Sequence, residues 1–272
     1  MSMRYYRLLG QLFVVAQSWE TLPDVKEAMS QVGITRDEVK EAMTLVEQGE
    51  HLVQERRNMA GGDRIAVHGI HTAASELEMW FQTVAATLRA QVDDEVVELA
   101  VKHGLHSHDH TTTVVASTLR TQGVLRTDPR VQEAFSEKQR SLHDLIVRGQ
   151  TLFAKLMDST QVLTVDSAMS RRSDAFERLE AHRQKMEAWI DRLAKAAGDL
   201  RDRPQVLGLA GYLPEGVGLP AGGSSFAVPL HKRAQREAPD PNEKGSTSGW
   251  SVGRQGRNRE NLGDGFVKPS FE

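Results

Sequence analysis

Proline and glycine are spread unevenly along this chain, and that asymmetry limits what it can fold into. Residues 1–198 hold two of the nine prolines, Pro23 and Pro129, and ten of the 22 glycines; residues 199–272 hold the other seven prolines and twelve glycines. Proline removes a backbone donor and clashes with the preceding turn, and glycine raises the entropic cost of ordering. Long helices are therefore open to the first region and closed to the second. Apolar residues in the first region recur at steps of three and four, and no pair of neighbouring runs reads as strands. The predicted fold class is all-α: an elongated antiparallel helical bundle with long coiled-coil-like helices and an irregular, partly disordered C-terminal tail. The expected organisation is a helical body over 1–198, an apolar extended strap over 199–230, and a disordered tail over 231–272.

Several helix ends can be placed from single residues. Tyr5, Leu8, Leu12, Val15 and Trp19 form an amphipathic stripe, and Gln11 interrupts the short apolar run over 8–16, so the segment reads as a helix packed on the body and not as a targeting segment. Gly33 should end a short helix over Asp24–Val32, because a helix C-terminus favours a residue able to turn left-handed. Thr35 and Glu38 have the spacing of a capping box, with Ile34 and Val39 as its hydrophobic staple, so a helix is predicted from there to about Met59. An apolar stripe runs from Val67 to Leu99, and one helix of about 40 residues or ~60 Å is expected, opened by Asp63 and ending at Gly104. Asp128-Pro129 should open another helix, with Asp as cap and Pro in the first turn. That helix is expected to run to a break near Asp158-Ser159-Thr160, with a last helix ending at Gly198.

The charge balance narrows the partners. The net charge is −3 and the pI is near 6.4, so nucleic acid is not an expected partner. There is no cysteine, which rules out disulfides and cysteine-ligated metals and fits a cytoplasmic protein. No run of 18 apolar residues is present, so no transmembrane segment is expected. Walker A, Gly-x-Gly-x-x-Gly, Gly-x-Ser-x-Gly and His-Glu-x-x-His motifs are all missing, and no Glu precedes a His by three residues as di-iron bundles require. The reading leans away from an enzyme and expects no cofactor.

Three features point toward function. Isolated Trp250, Phe266, Val267 and Phe271 stand in the polar tail, where aromatic side chains suit a short segment that orders on a protein partner. His103, His106, His108 and His110 crowd into eight residues after the long helix, a donor set suited to a divalent transition metal such as Zn, Ni or Fe. His68 and His71 lie early in the same helix, and its length would keep them from that cluster. The pair of helices around Gly33 also has the outline of a helix-turn-helix DNA-binding regulator, but Asp37, Glu38 and Glu41 would face phosphates. The leading expectation is a non-enzymatic adaptor, scaffold or accessory subunit that self-associates or binds protein partners, with its tail as the docking element. A metal-binding helical protein is the alternative, and the DNA-binding regulator comes third.

Overall fold

The computed structural model describes residues 5–59, 64–101, 105–164 and 174–212. The chain divides into units Met1–Phe226 and Ala227–Glu272, and the second lies wholly outside the described residues. The described residues are all-α: α1 (Tyr5–Thr21), α2 (Pro23–Gln31), α3 (Arg36–Met59), α4 (Arg64–Arg89), α5 (Asp94–Val101), α6 (His110–Thr127), α7 (Pro129–Ala134), α8 (Gln139–Thr164), α9 (Asp174–Asp199) and α10 (Pro204–Leu209).

Two helices make the centre. Of the 17 residues of α1, 13 are buried, and of the 18 of α6, 13 are buried. They pack on each other closely at Gly10, where a Cβ would overlap the Val115 side chain. Helix α3 covers α1, α9 covers α3 and α1, and α4, α5, α7, α8 and α10 pack on α6, with α4 and α8 also paired. Helix α1 is thus enclosed on nearly every side, beyond the single stripe its spacing predicts. Its Leu9, Phe13, Val14 and Ala16 lie off that stripe and are as buried as Leu8 and Leu12.

The local stop and start signals act as the sequence indicates. Gly33 has φ +87°, and the Ile34 N–H donates to the Met29 carbonyl at 3.0 Å, closing α2 in a Schellman turn. The capping box forms in both directions: the Thr35 N–H donates to Glu38 Oε2 at 2.8 Å, and the Glu38 N–H donates to Thr35 Oγ1 at 3.3 Å. Asp128 caps α7 by accepting from the Arg130 N–H at 2.9 Å, with Pro129 in the first turn.

Three expectations are corrected. The 40-residue helix is two helices. The Gln91 and Val92 N–H groups both donate to the Leu88 carbonyl at 2.8 Å, ending α4, and Asp94 and Glu95 then supply the negative first turn of α5. The helix opened by Pro129 stops at Ala134. A turn at Ser136–Lys138 precedes α8, held by donation from the Lys138 N–H to the Phe135 carbonyl at 2.9 Å. No break occurs at Asp158-Ser159-Thr160. Ser159 and Thr160 hydroxyls donate back to the Lys155 and Met157 carbonyls, at 3.0 and 2.9 Å, and α8 continues. In addition, the segment read as an extended strap begins with the helix α10, which is part of the core.

Candidate functional site

The most elaborate polar arrangement in the described core fixes α10. Arg120, in the middle of α6, is 1 % exposed and points at the C-terminal end of α10. Its Nε donates to the Leu209 carbonyl at 3.1 Å, and its Nη2 makes a short hydrogen bond to the Ser18 hydroxyl of α1. Ser18 Oγ also lies 2.8 Å from the Leu209 carbonyl, and Gln11 Nε2 donates to the Ala210 carbonyl at 3.2 Å. Donors from two helices thus converge on two successive carbonyls where α10 has run out of N–H partners, and where the helix dipole is negative. Burial pulls the Arg120 pKa down to about 10, which leaves it cationic at neutral pH.

Backbone contact completes the clamp. A Cβ on Gly123 would overlap the Gly208 carbonyl, and one on Gly208 would overlap the Thr127 hydroxyl, so α6 and α10 touch main chain to main chain. Gly211 has φ +67°, and the Tyr212 N–H donates to the Leu207 carbonyl at 2.8 Å, a second Schellman turn. Leu207, Leu209 and Ala210 are buried. Sequence reasoning missed α10 although two signals were present: Pro204 in the first helical turn and Gly211 just past the last.

Of the histidine connector, His103 lies outside the described residues, and His106, His108 and His110 are exposed. Ser107 and Asp109 alternate with them and are half-buried. Ser107 Oγ donates to the Asp109 carbonyl at 2.7 Å, and Asp109 caps α6 by accepting from the Thr112 N–H at 3.0 Å. Glu50 of α3 faces this turn and is 7 % exposed. Burial raises its pKa, the nearby Asp109 charge adds to that, and hydroxyls of Ser107 and Thr112 oppose it. Its Oε1 has no hydrogen-bond partner. Among the described residues no three His, Asp or Glu side chains are grouped to hold a metal. His110 Nε2 instead lies 3.3 Å from Glu78 Oε1 of α4. The length argument that separated His68 and His71 from the connector therefore fails, because the chain turns after Arg89 and returns beside α4. Both are exposed on that helix.

The tail residues Trp250, Phe266, Val267 and Phe271 lie outside the described residues. The start of α3, the recognition helix of the helix-turn-helix outline, lies against α9. The Trp189 indole N–H donates to the Glu38 carbonyl at 3.0 Å, and Arg192 pairs with Glu41 at 2.8 Å. No helix among the described residues is long and apolar enough to cross a membrane.

No family model, curated protein or solved structure matches the chain.

A second feature lies between α3 and α9. A groove of about 570 Å³ is lined by residues that include Glu47, His51, Leu52, Arg178 and Lys185, with the buried His182 beneath them. The His182 Nδ1 is 2.8 Å from the Tyr5 hydroxyl of α1.

Proposed function

We propose that this chain is a non-enzymatic scaffold or accessory subunit whose helical body anchors the root of a C-terminal segment that docks on a protein partner. The observation that carries this reading is the Arg120–Ser18–Gln11 clamp on α10. It holds the last described helix in the core and delivers Tyr212 at a fixed place, from which 60 further residues (213–272) follow. A docking segment benefits from a firm root, because tethering sets the effective concentration of what it carries. The partner contacts in this reading are Trp250, Phe266, Val267 and Phe271, and the cysteine-free composition supports a cytoplasmic setting.

The test is a comparison of partner capture by the full chain, by residues 1–212, and by a full-length variant with those four residues changed to Ala. Both altered proteins are expected to lose the partner while keeping the helical signal of the body. Equal capture by all three would overturn the docking role.

The alternating exposure of His106, His108 and His110 favours a second reading, a connector that binds a divalent transition metal together with His103. Metal analysis of untagged protein, with and without His106→Ala/His108→Ala, separates the two, and retention of no metal would end the second.

A further inference from the structure

His182 sits where α9 meets α1 and α3, and is 5 % exposed. Besides the Tyr5 hydroxyl at Nδ1, its ring stacks obliquely on the Tyr5 ring, with centroids 5.8 Å apart. A Cβ on Gly49 of α3 would come within 3.0 Å of His182 Cε1 and 3.2 Å of the Tyr5 hydroxyl, so the imidazole rests against bare backbone. Nε2 is buried and has no hydrogen-bond partner. The Leu45 carbonyl is the backbone acceptor that acts on the ring; it favours the charged form, and burial outweighs it.

The charged groups around the ring do not favour a second proton. On α1, burial holds the Tyr5 phenol neutral. On α3, Glu47 and His51 line the groove but are exposed, so water screens them, and Glu50 faces the 105–112 connector. On α9, Lys185 repels a cation on His182, and Arg178 is engaged by Glu55 at 3.0 Å. Among the described groove residues Glu47 is the one acid.

Helix α9 is also unequally attached. C-terminal to His182 it buries Met186, Trp189, Ile190, Leu193, Ala196 and Ala197, and Trp189 and Arg192 bond across to α3. N-terminal to His182, Leu179 is the one buried residue among those whose side chains are described.

We propose that His182 is an acid-operated latch: its protonation releases the N-terminal half of α9 from α1 and α3 and opens the groove between α3 and α9. A proton arriving from the groove leaves an imidazolium that must donate from both nitrogens, so the Tyr5 hydroxyl at Nδ1 can serve it only as an acceptor, while the ring stays out of water with Lys185 nearby and no buried carboxylate beside it. Lifting the first turns of α9 off Gly49 returns the ring to water, while the Trp189–Ala197 half stays in place. The sign follows from burial, which holds the folded pKa below the ordinary 6.5. The latch contribution is complete above 6.5 and is lost as pH falls through the folded value.

Hydrogen exchange of the full-length chain from pH 7.5 to 4.5, corrected for intrinsic rates, tests this. Protection at residues 178–186 is expected to fall by up to about tenfold per pH unit below 6.5, with residues 189–197 unchanged. His182→Gln should abolish that local pH dependence. Should the variant fail to fold, the imidazole titration of His182 in the unaltered protein decides. A midpoint below 6.5 coincident with the loss of protection supports the latch. A fall in protection spread evenly along α9, one that persists in His182→Gln, or titration of His182 without local opening would overturn it.

Discussion

Arg120 carries its charge where a protein seldom leaves one, 1 % exposed and facing carbonyl and hydroxyl oxygens instead of a carboxylate. The arrangement is tolerable because the end of α10 offers concentrated negative dipole and unpaired acceptors. Removing the side chain would leave the Leu209 carbonyl with the Ser18 hydroxyl as its remaining donor, take the charged partner from Ser18, and open a void. Arg120→Ala should therefore cost about 2–4 kcal/mol in urea unfolding of the full chain. Glu50 is the opposite case, a buried acid with one unpartnered oxygen. Its folded pKa lies above the ordinary 4.5, so folding favours the protonated form. The stabilising share of that preference is complete below 4.5 and is lost as pH rises through the raised value. Glu50→Gln is expected to match the unaltered protein at pH 4 and to be the more stable of the two at pH 7.5, as read by paired urea melts.

At the scale of elements, the sharpest constraint is the crossing of α6 and α10. Gly123→Ala would place a methyl group against the Gly208 carbonyl, a backbone atom that cannot rotate away, and should cost about 1–3 kcal/mol. Gly198, in the last turn of α9, has open space around it, so Gly198→Ala should stabilise by about 0.5–1 kcal/mol. The contrast between the two variants, measured in the same thermal or urea assay, isolates contact from propensity. It also shows what was legible in the sequence. Thr35–Glu38, Gly33 and Asp128-Pro129 are local devices, and the residues that form them are neighbours in the chain. The turn at residues 90–93 was hidden because Val92 and Val96 keep the apolar spacing through it, so burial pattern and helix continuity part company. Helix α6 gave little periodic signal because it is enclosed. Thr111, Thr112, Thr118, Thr121 and Thr127 are all buried, so polar residues mark its inner faces as often as apolar ones do. The Arg120 clamp could not be read at all, since its partners lie 89 and 102 residues away.

For the molecule as a whole, the described core extends past Gly198 to include α10. A chain ending at 212 should unfold with the same midpoint as the full protein. A chain ending at 203 loses Leu207, Leu209 and Ala210 from the core and exposes the Arg120 guanidinium, and should lose cooperative unfolding. The clamp also sets a timetable for making the protein. Gln11 and Ala210 bond across 199 residues of sequence, and Ser18 and Leu209 across 191, so the first described helix is finished by the last described one. On a ribosome the apolar flank of α1 must wait, uncovered, for most of the chain to be translated. At the usual ~5–20 residues per second, the 191 residues that separate Ser18 from Leu209 take about 10–40 s to synthesise. Over that interval the buried flank of α1 depends on whatever else shields apolar surface at the ribosome, so early exposure of the N-terminal helix is built into the order of the fold.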